Sequence, residues 1–387
     1  MSPSPEELAK DALALHASLR GKIEMRVKTP IQTLDDLTLI YSPGVGAVST
    51  QLLKTPKEAD IYTWRKNTVA VISDGSAVLG LGNIGPTAAL PVMEGKCAIF
   101  KHFSGIDAIP IVLNTQNTEE LITIISALAT SFGAIQLEDI SAPRCFEIER
   151  RVQERVSIPV MHDDQHGTAI VLLAGLLNAL QVVEKKIREV RVVMNGAGAA
   201  GVAIAKLLSV AGVKQFVAID RTGVILPSRK DLTEEKRFLA LMATLSHEGD
   251  TLREAVVGAD VLIGVSAEGA FSGELVRTMA PRGIVFALAN PVPEILPEEA
   301  RASGVEVIAT GRSDFANQVN NALCYPGLFR GMLDHDVPYV TDEIKLSAAR
   351  AIAGFIPHPT AERIIPTMFD EGLHEVVAKC VLRTGVV

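Results

Sequence analysis

The run Val192-Val193-Met194-Asn195-Gly196-Ala197-Gly198-Ala199-Ala200-Gly201 limits the possible folds more than any other stretch of the chain. A G-x-G-x-x-G pattern alone is a weak signal. Here an apolar strand-like run enters it and an apolar helical run, 202–210, leaves it. A second strand-like run, 216–219, then ends on Asp220, 19 residues past the last glycine. In that setting the pattern is the dinucleotide fingerprint of a Rossmann-type sheet. Gly196 makes the tight turn, Gly198 lets a pyrophosphate approach, and Gly201 allows close packing of helix on strand. The phosphates rest on the helix start, at Ala199 and Ala200, where free N–H groups and the macrodipole favour anions. Asp220 is predicted to accept both hydroxyls of an adenosine ribose, which favours NAD. Arg221 beside it can instead pair with a 2′-phosphate, so NAD and NADP both stay open.

Three further strands follow in the same rhythm, at 261–265, 284–288 and 305–309. Their carboxyl ends carry Ser266, Asn290 and Thr310-Gly311-Arg312, at the edge where doubly wound sheets bind ligands. The amide-rich run Asn317-Gln318-Val319-Asn320-Asn321 can orient a carboxylate, or can consist of capping and turn residues. Residues 342–353 and 361–382 read as terminal helices.

The first half carries the acids. Met161-His162-Asp163-Asp164-Gln165-His166-Gly167-Thr168 lies between a strand-like run and a long apolar helix predicted over 168–180. Carboxylates at a buried helix start need a hydrogen bond, a cation or a metal. A second acidic pair, Glu138-Asp139, ends another strand-like run, 134–137. Taken singly, each cluster reads as a helix cap with solvated acids, since acids at helix starts are common. Taken together, they predict an oxygen-ligand site for Mg²⁺ or Mn²⁺. Elsewhere, strands are predicted at 68–72, 97–100 and 109–113, with Asn117 capping a helix that runs to Phe132. Lys96 is predicted to enter the 97–100 strand, where burial would lower its pKa; a surface lysine is the alternative. Tyr41 precedes a tight Ser42-Pro43-Gly44 turn that fixes its ring direction. The alternation of strands and helices predicts a mostly parallel sheet. The fold is therefore α/β with two domains: an N-terminal unit, 1–163, and a Rossmann-type doubly wound unit, 164–387, that includes the C-terminal helices.

Composition excludes other classes. The net charge of −8, without any basic run interleaved with aromatics, argues against nucleic acid or an anionic membrane as partner. Four scattered cysteines, Cys97, Cys145, Cys324 and Cys380, fit a reducing compartment and offer no zinc spacing. The first twenty residues read as an amphipathic helix rather than a signal peptide. The apolar run 169–180 is shorter than the ~20 residues a bilayer span needs. A cytoplasmic protein is expected.

Several motifs together resemble the malic enzyme family in its compact bacterial form. They are Tyr41-Ser-Pro-Gly-Val, Val92-Met-Glu-Gly-Lys96, Leu137-Glu138-Asp139-Ile140, the 162–168 stretch, Gly196-Ala-Gly-Ala-Ala-Gly201 and Phe286-Ala-Leu-Ala-Asn290-Pro. The resemblance implies oxidative decarboxylation of (S)-malate with NAD or NADP and a divalent metal, in a homodimer. It assigns Glu138, Asp139 and Asp164 to the metal, Lys96 as base, Tyr41 as acid and Asp163 as the acid neighbouring the lysine. Asn290 and Asn321 would hold the substrate carboxylate. One departure is Ala77, which stands where larger relatives carry a carboxylate-gripping arginine. Competing readings are a malolactic or other decarboxylase on the same fold, an amino-acid dehydrogenase, and a nucleotide sensor. The last two have no need of an acidic metal triad beside a lysine.

Overall fold

Short apolar runs build two separate sheets in the computed structural model, which describes residues 5–244 and 250–381. The first sheet comprises β1 (Thr68–Ser73), β2 (Asp107–Val112), β3 (Ala134–Leu137) and β4 (Val160–His162), all parallel, in the order β2-β1-β3-β4. The second comprises β5 (Arg191–Asn195), β6 (Gln215–Asp220), β7 (Gly223–Val224), β8 (Val261–Gly264), β9 (Gly283–Ala287) and β10 (Val305–Thr310). Its order is β10-β9-β8-β5-β6-β7, and only β7 runs antiparallel. Strands β1, β8 and β9 are buried along their whole length, as parallel strands covered on both faces must be. The two-unit α/β architecture is the one read from the sequence.

The helix Asp163–Val182 starts directly from β4 and packs against the helices Ala199–Ala211 and Asp342–Gly354, so it joins the units. Its length and composition would suffice to cross a membrane, but fourteen of its twenty residues are buried within the protein. Ile170, Leu172, Leu173 and Leu176 are fully buried, each contributing about 1.5–3 kcal/mol relative to exposure. The helix begins five residues earlier than Thr168, the start read from the sequence. Asp163 and Asp164 therefore lie in its first turn, where the macrodipole favours them.

Two other expectations change. Residues 97–100 are not a strand but part of a continuous helix, Gly85–Ser104. Ala89, Met93, Cys97 and Phe100 are its buried residues, at helical spacing. The four-residue apolar run was too short to reveal its period. Lys96 thus projects from a rigid helix rather than from a strand entry. Of the terminal helix read over 361–382, the structure forms only Leu373–Lys379; Leu382 lies outside the described residues. Asn117 does cap its helix, accepting the Glu119 and Glu120 N–H groups, an arrangement worth about 1 kcal/mol.

Candidate active site

Strand register decides which acids meet. Leu137 on β3 pairs with His162 on β4, so Glu138-Asp139 and Asp163-Asp164 emerge side by side at the carboxyl edge of the first sheet. One carboxylate oxygen from each of Glu138, Asp139 and Asp164 lies within 4.8 Å of the other two. Asp139 has φ +54°, a left-handed conformation that Asp tolerates better than most residues, and its N–H donates to Asp164 Oδ2 at 2.8 Å. Lys96 reaches in from its helix, with Nζ 2.6 Å from Asp163 Oδ2 and 2.9 Å from Glu138 Oε1. Gln136 donates to the other oxygen of Glu138 at 2.7 Å.

Four carboxylates (Glu138, Asp139, Asp163, Asp164) less one ammonium (Lys96) leave this corner with a formal charge of −3. Burial opposes the charge on Lys96, but Asp163 and Glu138 outweigh it and hold the ammonium well above the ordinary lysine range. The lowering read from the sequence is thus reversed by the carboxylates at the lysine. Burial likewise pushes the Glu138 carboxyl well up; Lys96 pulls against this, while Asp163, Asp164 and Asp139 add to it. A donor set made of carboxylate oxygens, with negative charge in surplus, fits a hard dication such as Mg²⁺ or Mn²⁺.

Behind these acids the rest of the 162–168 stretch has structural work. Glu149 is almost wholly buried and accepts the His162 N–H at 2.8 Å, Gln165 Nε2 at 3.1 Å and His166 Nε2 at 3.0 Å. Burial alone would raise its pKa; the His166 ring and the His162 N–H hold it down to about 2. Glycine at 167 leaves room for the Asp163 carboxylate, since a Cβ there would fall 2.1 Å from Asp163 Oδ1 and displace it. Thr168 donates to Asn321 Oδ1 at 3.2 Å, and Asn321 Nδ2 donates to Asp163 Oδ2 at 3.1 Å. Asn321 therefore reaches the acid beside the lysine from the second unit.

At the second sheet, Gly196 has φ +126° under the Val265 carbonyl, and Gly201 packs against the Gly196 carbonyl, where a Cβ would approach to 2.2 Å. Gly198 faces open space at the start of the helix Ala199–Ala211, room that a pyrophosphate could fill. Asp220 is already engaged by protein cations. Arg229 Nη1 and Nη2 lie at 2.8 and 3.1 Å and Lys236 Nζ at 2.6 Å, with the Thr222 hydroxyl at 2.7 Å. Burial opposes its ionisation, but these partners hold the carboxyl well below its usual range. Arg221 is exposed beside it. Ser266 accepts from Asn195 Nδ2 at 3.0 Å. Asn290 is exposed, and its carbonyl faces Gly80 of the first unit so closely that a Cβ there would lie 1.9 Å away.

Tyr41 is not among the groups that act on Lys96. Its side chain is 67% exposed, and the groups acting on Lys96 are Asp163, Glu138, Tyr325 and Asp164. The ring beside the lysine is that of Tyr325, with its centroid 4.9 Å from Nζ; burial pushes its phenol well up. Sequence reasoning passed over Tyr325, Gln136 and Glu149. Only Gln136, two residues before Glu138, carried a local signal, since strand residues at that spacing share a face. Near Ala77, whose N–H donates to the Asp139 carbonyl at 2.9 Å, a guanidinium does come from elsewhere in the chain. Arg144 Nη2 lies 2.9 Å from Asp74 Oδ2 and 3.0 Å from Ser76 Oγ.

Comparison with known proteins agrees along most of the chain. Residues 20–153 match the family model for the malic enzyme N-terminal domain, and residues 165–383 match that for the malic enzyme NAD binding domain. A NAD-dependent malic enzyme from Geobacillus stearothermophilus is 51% identical over 95% of this chain and 78% of its own. A bifunctional malic/malolactic enzyme from Bacillus subtilis is 46% identical over 98% of this chain and 93% of its own. The crystal structure of a NAD-dependent malic enzyme from Thermotoga maritima superposes with a TM-score of 0.93 at 47% identity, covering 96% of this chain and 98% of that one. Both units therefore match one enzyme's two domains in the same order, and the chain belongs to the malic enzyme family.

Proposed function

We propose that the protein oxidatively decarboxylates (S)-malate to pyruvate and CO₂, reducing NAD⁺ or NADP⁺, with Mg²⁺ or Mn²⁺ held by Glu138, Asp139 and Asp164. The observation that carries this reading is Lys96 within 2.9 Å of both Asp163 and Glu138, beside three clustered carboxylates. A bound dication supplies Lewis acidity toward the C2 oxygen and opposes the carboxylates that hold Lys96 protonated. Lys96 in its neutral form takes the C2 hydroxyl proton, and Asp163, oriented by Asn321, holds the ammonium that results. Asn290 and Asn321 hold the substrate carboxylate, and Tyr41 delivers the proton to C3. The glycine turn and Ser266 seat the dinucleotide, which supplies the hydride acceptor. The division of labour falls at 163/164, with the base and two metal ligands before it and the cofactor site after it. Initial rates with malate, Mn²⁺ and each dinucleotide test the reading, with NADH or NADPH appearing in step with pyruvate. Lactate without net dinucleotide reduction would favour the malolactic alternative, which the name of the Bacillus subtilis relative keeps in view.

The exposed ring of Tyr41 belongs with a second proposal, that the protein is a homodimer. Among the described residues, most exposed large apolar side chains lie between Leu8 and Trp64, and the helices Leu34–Ile40 and Val45–Lys54 contain no buried residue. Exposed apolar side chains concentrated in one segment fit a surface that a partner covers. A second copy covering it would also give the Tyr41 ring a buried setting in which to act as an acid. Light scattering at micromolar concentration is expected to give the mass of two chains, and Leu37→Asp with Leu39→Asp to shift it toward one. A monomeric wild type would overturn the assignment.

A further inference from the structure

The carboxyl edge of the second sheet contains a buried acid that the steps above do not use. Glu294 is fully buried. Its Oε1 accepts the Ser266 N–H at 2.9 Å and the Ser266 hydroxyl at 3.2 Å, while Oε2 accepts the Ala289 N–H at 2.9 Å. One carboxylate thus bridges the loops that follow β8 and β9. Room for it depends on glycine at the end of β8, because a Cβ on Gly264 would fall 2.4 Å from Glu294 Cδ. The connection continues on both sides. Ser266 Oγ accepts from Asn195 at the end of β5. Ala289 precedes Asn290, whose carbonyl presses on Gly80 of the first unit.

Position in the sheet says which half of a dinucleotide these loops face. The pyrophosphate turn follows β5, and Asp220 at the end of β6 marks the adenosine side. A dinucleotide crosses such a sheet at the point where strand order reverses. Its other half, which carries the nicotinamide, therefore extends over β8 and β9, toward the first unit. Burial raises the Glu294 carboxyl above its usual range, while the Ala289 and Ser266 N–H groups oppose the rise. A carboxylate is an acceptor at both oxygens and suits three converging donors.

We propose that Glu294 is a positioning residue that sets the spacing between the Ser266 and Asn290 loops, and through them the docking of the nicotinamide half of the cofactor against the acid-lysine corner. This rests on the proposed dinucleotide-dependent reaction. The test compares wild type, Glu294→Gln and Gly264→Ala, the last of which displaces the carboxylate from the opposite side. Fluorescence titration gives the dissociation constants for NADH and NADPH, and calorimetry gives that for ADP, which occupies the adenosine side alone. Thermal unfolding and the separate kcat and KM for malate complete the set.

Both variants are expected to bind ADP as wild type does. Binding of the reduced dinucleotide should weaken at least tenfold, and kcat should fall by up to about 100-fold, the scale of an ångström-level misplacement. Equal losses for ADP and dinucleotide, or a lower unfolding temperature with unchanged binding ratios and kcat, would overturn the proposal by reducing Glu294 to a packing role. If Glu294→Gln fails to fold, Gly264→Ala decides by the same criteria; if neither variant folds, the packing role stands and the proposal falls. Failure of wild type to bind any reduced dinucleotide would instead refute the functional reading beneath it.

Discussion

Replacing Lys96 by alanine is expected to lower malate oxidation by roughly 10²–10⁴-fold, the usual worth of a positioned general base. The geometry allows this loss to be separated from a folding defect. Lys96 is the ammonium paired with Asp163 and Glu138, so removing it leaves buried carboxylates uncompensated, which can cost about 3–5 kcal/mol. Lys96→Arg keeps the positive charge but cannot give it up at any working pH. It is therefore expected to fold, and still to be inactive. A small primary amine added to Lys96→Ala should restore part of the rate, because the missing group is itself an amine. Tyr41→Phe is expected to behave differently, slowing the later proton delivery to C3. The deuterium isotope effect on kcat from C2-deuterated malate should then shrink. A near-normal rate in Lys96→Ala, with a larger isotope effect in Tyr41→Phe, would mean the roles are reversed.

The elements that could be read in the sequence were those whose physics is local. The glycine turn was legible because strand, turn, helix and acid all fall within thirty residues of one another. The acidic pairs were legible because two charges at the end of an apolar strand are costly unless used. Structure further apart in the chain was not. Residues 97–100 were misread because an isolated apolar tetrapeptide shows neither period, and only the spacing of Ala89, Met93, Cys97 and Phe100 reveals the helix. Asp220 looked free for a ribose because its partners, Arg229 and Lys236, lie beyond β7 and only the fold brings them back. The same holds for Glu149, which binds three residues of the 162–168 stretch from thirteen to seventeen positions away. Tyr41 illustrates a further limit. Its sequence setting predicts a fixed ring direction, but nothing local to the Ser42-Pro43-Gly44 turn says what the ring faces, and in the single chain it is exposed.

Removing divalent metal is expected to abolish turnover, with Mn²⁺ or Mg²⁺ restoring it after EDTA treatment. The expectation rests on the −3 corner formed by Glu138, Asp139, Asp163, Asp164 and Lys96, whose carboxylate surplus a dication would reduce. Asp164→Asn is the sharper test, since it changes charge with little change of shape. Asp164 Oδ2 accepts the Asp139 N–H at 2.8 Å and lies 3.5 Å from His162 Nε2, so an amide of the same size can keep its acceptor oxygen there. What it loses is one of the three anionic ligands proposed for the metal. Lewis-acid stabilisation is worth several kcal/mol, and at tenfold per 1.36 kcal/mol the loss should lower kcat by at least ~10²-fold. A readout independent of turnover comes from linkage: Mn²⁺ at about 100 times its dissociation constant should stabilise wild type by about 2.7 kcal/mol. That thermal shift should largely vanish in Asp164→Asn at the same Mn²⁺ concentration. Binding of NADH or NADPH should persist, because the glycine turn lies on the other sheet. Full activity in EDTA, or an undiminished Mn²⁺ shift in Asp164→Asn, would remove these three carboxylates as the metal site.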